Sequence, residues 1–403
     1  MFRTGSRSPS LLPWLLVSFG FLALALAFSA RATLGLVMPI WVKELGWSRS
    51  FISGAAATAL LVMAVMAPFA GRFVDRHGVR LALALGLTLV GTGCLVVSAT
   101  SNAFVFLLAF SGVSALGFGM VATHVISTAV ARRFVSRSGL ATGIATSGAT
   151  AGQFVIVPLT AVILATFSWR WSFLAIGVAC FALIPLLWWV LAPTSEPSSM
   201  PIHPKTGPSL WVDASSIVRK PVFQVLFWSF LICGYTTAGV IETHFLPYAT
   251  LCGFAPLPSA AAYGTLSAVN MLGMIGAGWL TDRMNRVLLL GLIYLVRALS
   301  FLILMNVGVD YDTLLVFATL FGAVDYATVP VTASLVASHL GLRVMGLAMG
   351  LLSAGHSIGA AIGAFMGGYL FDLTMQYNGV WLSSLALAVG AGLMVFLIPR
   401  QPV

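Results

Sequence analysis

The chain carries one pattern twice. Gly71, Asp75 and Arg76 recur as Gly278, Asp282 and Arg283, and Gly139, Gly143, Gly148 and Gly152 recur as Gly346, Gly350, Gly355 and Gly359. A single offset, 278 − 71 = 207 positions, fits both sets without a gap. The duplicated unit is hydrophobic: 60% of the residues are apolar and only 7% are charged, with a mean hydropathy of +1.03. A soluble domain carries about 25% charged residues, so this chain cannot cover a water-facing surface and must sit in a membrane. Repeated halves in a membrane protein usually mean a transporter with its site at the seam between them.

A helix needs about 20 apolar residues to cross the hydrocarbon core. Twelve such runs are predicted, near 12–40, 51–73, 81–100, 103–131, 138–167 and 171–193, then 221–250, 258–280, 287–307, 312–338, 343–371 and 378–398. The first is too long for a signal-peptide core, and Arg31 falls late in it, so it is read as a span. A Pro- and Ser-rich connection separates the two sets of six. The expected organisation is an all-α membrane protein of two pseudo-symmetric six-helix bundles, 1–193 and 221–403, joined by a cytoplasmic linker, 194–220. The spaced glycines of spans 5 and 11, continued by Gly363, Gly367 and Gly368, let helix backbones approach closely. Static packing and sliding of one bundle over the other are both compatible with them.

The net charge of +10 does not point to nucleic acid, because the basic residues are spread over short connections. With connections assigned alternately to the two sides, Lys43, Arg49 and Arg170 fall on one side, and Arg31 and Arg297 lie within spans. The remainder of the 20 Lys and Arg, 20 − 3 − 2 = 15, fall on the side of the N-terminus. That bias places both termini in the cytoplasm. Cys94, Cys180, Cys233 and Cys252 lack metal-binding spacing and read as packing residues. No His/Asp/Glu set has metal-ligand spacing, and no Gly-Lys-Ser/Thr phosphate loop occurs. Without a nucleophile–base pair or a soluble catalytic domain, no enzyme, cofactor or ATP-driven pump is expected. Trp14, Trp41, Trp47, Trp169, Trp171 and Trp211 lie near span ends, as in an interfacial belt.

Between spans 2 and 3 the chain reads G-R-F-V-D-R-H-G-V-R, with Gly71, Asp75, Arg76, Gly78 and Arg80 at the key places. This resembles the cytoplasmic signature of the major facilitator superfamily. Leu81 stands where a second basic residue often closes the signature. The second copy keeps Asp282 and Arg283 but has Asn285 where a glycine is usual. Gly46-Trp47-Ser48-Arg49 and the sequence of span 5 look like the monocarboxylate and oxalate–formate branch. Span 8 has Asn270 and no arginine, unlike animal monocarboxylate carriers. The resemblance implies the twelve-helix major facilitator fold, a cavity lined by spans 1, 4, 7 and 10 with help from 2, 5, 8 and 11, and alternating access. It also makes the signature a gate, in which Asp75 meets a helix N-terminus or an arginine of the neighbouring bundle.

Ionisable residues within spans are costly and mark function by default. Here they are Arg31, His124, Glu242, His244, Arg297, Asp325 and His356. Arg31 can grip a carboxylate with two parallel hydrogen bonds, with Arg297 as the second basic candidate for the anion; the alternatives for Arg31 are snorkelling to the outer headgroups or a structural ion pair with Glu242. Arg297 and Asp325 both come near mid-membrane, so a salt bridge is expected, either as fixed packing or as a proton switch. Glu242 is the rival proton carrier. His124, Asn270, Tyr235, Tyr326 and His356, with Tyr263, are candidates to shape the substrate site. The expected activity is proton-coupled symport of a small organic anion, such as a monocarboxylate, by a monomer in a bacterial cytoplasmic membrane. The alternative is proton-driven efflux of hydrophobic drugs or metabolites. Expected partners are the anion, protons and membrane lipids.

Overall fold

The computed structural model describes residues 11–134, 136–190 and 209–399. Residues 194–208 of the expected linker, and Arg3, Arg7, Lys205 and Arg400 of the charge argument, lie outside the described residues. Among the described residues all regular structure is helical, and twelve helices are long and apolar enough to span. Spans 1 to 6 are Pro13–Glu44, Phe51–His77, Val79–Ala99, Ala103–Arg133, Ser138–Leu164 and Trp169–Trp189. Spans 7 to 12 are Pro221–Leu251, Leu257–Thr281, Arg286–Met305, Tyr311–Leu340, Leu342–Thr374 and Asn378–Val395. A further short helix, Leu210–Val218, ends the linker and lies beside span 11.

Extensive contact between the first six and last six spans is confined to span 2 with 11, span 5 with 8, and the adjoining parts of spans 4 and 10. The conserved spacing of the glycines now divides in two. Gly139 and Gly143 pack on the backbone of Gly278 and Met274 in span 8, and Gly346 and Gly350 pack on Gly71 and Ala67 in span 2. A Cβ at any of these would run into main chain of the opposite half. Gly148 and Gly152 instead pack on Phe21 and Ala25 of span 1, and Gly355 and Gly359 on Phe227 and Leu231 of span 7. The first pair of each series therefore forms the seam and the second pair is packing within one half.

Three of the expected cavity helices are irregular. Span 4 carries a π-helical segment, Leu108–Ser114, and breaks at Val121 and Ala122, where the backbone turns extended. Span 7 carries a π-helical segment, Tyr235–Ile241. Span 10 stops at Val324 and restarts at Thr328. Broken helix inside a bilayer is tolerated only where the protein or a water-lined space satisfies the freed backbone groups.

The tryptophan belt holds only in part. Trp41 is fully buried, and with Trp47, Phe106, Trp169 and Phe173 it forms an aromatic cluster inside the first bundle. Trp169 closes it by donating from Nε1 to Glu44 at 3.1 Å. A position near a span end fixes depth in the membrane, not whether the ring faces lipid. Trp171 and Trp211 are exposed, as a belt requires.

Candidate functional site

On the linker side the two repeated aspartates do the same job in opposite directions. The first N–H groups of a helix have no partner within it. Asp75 accepts from Gly346 N at 3.0 Å and Leu347 N at 2.9 Å, at the start of span 11. Asp282 accepts from Gly139 N at 2.8 Å and Leu140 N at 2.9 Å, at the start of span 5. Each carboxylate thus meets the positive end of a helix dipole from the other half. Asp75 also pairs with Arg132 of span 4, which reaches on to the Leu342 carbonyl at 3.0 Å. Gly78, at φ +83°, makes the tight turn between spans 2 and 3. Arg80 is directed sideways, donating to the Trp188 carbonyl at 2.8 Å and lying over its ring. Arg76 is exposed, and Arg283 lies on Trp279 of its own helix. Asn285, in the place of the usual glycine, caps span 9 by accepting from Val287 N and Leu288 N.

Sequence reasoning missed Asp213. It is 2% exposed on the short linker helix and binds Arg72 at 2.6 Å and Arg343 at 3.1 Å. One carboxylate therefore ties the end of span 2 to the start of span 11. A lone Asp in a polar linker gives no signal of this from sequence. Asp213→Asn is expected to loosen the linker side, on the order of tenfold in open population, equivalent to about 1.4 kcal/mol. The figure is modest because Arg343 is 46% exposed and screened. It is read as faster alkylation of a cysteine placed at Thr150, on the buried contact between spans 5 and 8.

Away from the linker, a cavity of about 210 Å³ lies between the halves, lined by span 1, span 2, Phe110 of span 4, Gln153 of span 5 and Glu242 of span 7. Its polar side chains are Arg31, Gln153 and Glu242; the rest of the lining is apolar. Arg31 lies 4.9 Å from the centre of the Phe28 ring and makes no hydrogen bond or ion pair with the described residues. Glu242 is close enough to feel Arg31 electrostatically, but no salt bridge joins them. Glu242 accepts from the Tyr326 phenol at 2.9 Å. Gln153 was also missed; its only signal is an amide directly after the glycine series, in G-Q-F-V-I-V-P.

Behind that wall is a buried polar cluster around the break in span 10. Arg297 is fully buried and donates to the main-chain carbonyls of Val324, at 2.8 Å, and Asp325, and to Thr236 Oγ1 at 3.0 Å. Asn270 donates to Asp325 Oδ2 at 2.9 Å and accepts from Tyr326 N at 3.2 Å. Arg297 and Asn270 together satisfy both sides of the broken helix. The expected salt bridge is not formed: Arg297 holds the backbone oxygen of Asp325, and the carboxylate belongs to Asn270. Helix breaks are not visible in hydropathy, so sequence could place both residues at one depth but not assign the acceptor. Asp325 Oδ1 is buried with no hydrogen-bond partner among the described residues.

The other candidates scatter. His356 lies between Phe230 and Tyr326 at the edge of the polar cluster. His124 is buried against the Ala67 carbonyl of span 2. Tyr235 turns away from the cavity to Ser383 of span 12, and His244 is fixed between the Ala364 carbonyl and Tyr377. Tyr263 is near Glu242 and Asp325. No group of three or more His, Cys, Asp or Glu able to hold a metal ion occurs among the described residues.

Twelve spans in related halves, a seam closed on one side and a polar cavity opening between them on the other, define a membrane transporter of the two-bundle type. The chain belongs to the major facilitator superfamily, whose model matches residues 20–346 and 277–403. Among curated relatives, the uncharacterized MFS-type transporter YcxA of Bacillus subtilis is 24% identical over 98% of this chain and 96% of its own. Monocarboxylate transporter 13 of Rattus norvegicus is 26% identical over 95% and 88%. Among solved structures, the proton:xylose symporter XylE superposes with a TM-score of 0.76 at 14% identity, covering 97% of each chain. The human organic anion transporter MFSD10 gives 0.73 at 17% identity, covering 96% and 100%. Such transporters move small molecules and are not enzymes.

Proposed function

We propose that the chain is a proton-coupled transporter of a small organic anion, a monocarboxylate in the first instance, working by alternating access between bundles 1–193 and 221–403. The observation that carries this is Arg31, a guanidinium lining the cavity with no hydrogen bond or ion pair among the described residues. An unpaired charge within a span is expensive, and a substrate carboxylate offers the bidentate partner it lacks. The names of the monocarboxylate and organic anion transporters among its relatives and structural neighbours support the same substrate class.

The coupling proton goes to Asp325 or Glu242. Asp325 has a carboxylate oxygen with no partner beside the break in span 10, where gain of a proton would change what Asn270 holds. Symport fits anion entry, because an inside-negative potential opposes each negative charge by about 2.3 kcal/mol per 100 mV and one proton cancels it. Asp75, Asp282 and the glycines between spans 2 and 11 and spans 5 and 8 form the gate on the linker side, with Arg76, Gly78, Arg80 and Arg283 shaping its loops. The excess of basic residues on that side supports a cytoplasmic location for it and for both termini, in a bacterial inner membrane. The protein acts as a monomer.

The apolar remainder of the cavity, including Ala56, Ala59, Leu60 and Met63, favours a second reading, efflux of hydrophobic compounds. Proteoliposome uptake separates the two. A labelled small carboxylate should accumulate when an inward proton gradient is imposed and only equilibrate without one. Uptake of no carboxylate, by vesicles that extrude a hydrophobic dye, would move the assignment to efflux.

A further inference from the structure

Resting on the assignment of the cavity as a carboxylate site, we infer that the substrate is a small zwitterion: its carboxylate meets Arg31 and its ammonium meets Glu242. The two charges face one cavity of about 210 Å³, with opposite signs and from opposite halves of the protein. They attract each other but form no salt bridge, since their nitrogens and oxygens stay more than 4.0 Å apart, which leaves both open to a ligand. Each also keeps unused bonding capacity. Arg31 lies beside the Phe28 ring and makes no hydrogen bond or ion pair with the described residues. Glu242 is exposed, receives one hydrogen bond, from Tyr326 to Oε1, and has Oε2 without a donor among the described residues.

A simple anion uses half of this site. It would satisfy Arg31 but leave Glu242 without a cation and place a second carboxylate next to it, which lowers its affinity relative to a zwitterion. A zwitterion satisfies both groups, and its hydrocarbon part suits the Leu34, Leu60, Met63 and Phe110 lining. The placement also couples binding to movement. A ligand shifts a conformational equilibrium only through different affinity for the two states. A ligand held by span 1 at one end and span 7 at the other binds best when those spans approach, which is the motion that shuts this side. With Glu242 engaged by substrate, the proton falls to Asp325.

The test uses the full chain in proteoliposomes under an inward proton gradient, with matched labelled pairs: alanine and propionate, leucine and 4-methylpentanoate, 4-aminobutyrate and butyrate. The zwitterion of at least one pair should enter on the order of tenfold faster than its deaminated partner, the ratio for about 1.4 kcal/mol of differential binding. Glu242→Gln should reverse that preference, and Glu242→Asp should retain it. Uptake of a deaminated acid with exclusion of its zwitterion would overturn the inference and leave the anion-symport function standing. Uptake of neither member of any pair would overturn both. An unchanged preference in folded Glu242→Gln protein would remove Glu242 from the ammonium site and with it the inference.

Discussion

Arg31→Gln is expected to abolish carboxylate binding while leaving a folded, fully inserted protein. A hydrogen bond to a charged group contributes about 1.5–3 kcal/mol, so losing a bidentate pair lowers affinity on the order of a hundredfold or more. The fold should not suffer, because the guanidinium makes no hydrogen bond or ion pair with the described residues. Removing a charge from a span relieves an insertion cost of about 2.5–3.5 kcal/mol, offset in part by the lost attraction to Glu242, so thermal stability should hold. Arg31→Lys should recover part of the affinity, since an ammonium supplies the charge but not the planar fork. Equilibrium binding of the labelled carboxylate, measured alongside melting temperature, checks both halves of the expectation.

Arg297→Gln should behave in the opposite way. Arg297 is as buried as any residue in the chain and satisfies the carbonyls of Val324 and Asp325 where span 10 is broken. Glutamine cannot reach both and Thr236 as well. Each buried acceptor left unsatisfied costs about 1–3 kcal/mol, so a total loss of about 3–5 kcal/mol is expected, enough to remove most folded protein. Size-exclusion profiles and melting temperature in detergent should show this before any transport assay is possible. Asn270→Ala should be milder, since it frees the Tyr326 amide and the Asp325 carboxylate but leaves the carbonyls held. A stable Arg297→Gln protein with altered substrate preference would instead place Arg297 in the substrate site.

These two arginines show how far the sequence reached. Hydropathy and the repeat gave all twelve spans, with their ends close to those observed, because a spanning helix needs an apolar run and stops where polar residues begin. The signature pointed Asp75 to a helix N-terminus or an arginine of the neighbouring bundle; it meets the start of span 11, while its arginine, Arg132, belongs to its own half. Arg31 and Arg297 looked alike from the sequence, as single charges inside spans. What separates them is the break after Val324, a backbone event with no hydropathy signature, which turns one arginine into a cap for main-chain carbonyls. Asp213 and Gln153 were invisible for a related reason: their partners, Arg72, Arg343 and the cavity wall, are brought to them only by the packing of distant segments.

Alternating access is the central claim, and a distance measured across the seam tests it most directly. Spin labels at His77 and Met284, both exposed on the linker side and on opposite halves, report whether that side is shut. On that side Asp75 and Asp282 each bind the helix start of the other half, and Asp213 ties Arg72 to Arg343. Adding the accumulated carboxylate at low pH should shift the distance distribution to longer values, and Arg31→Gln should remove the shift. A distribution that ignores every carboxylate and lengthens with a neutral hydrophobic compound would contradict the account.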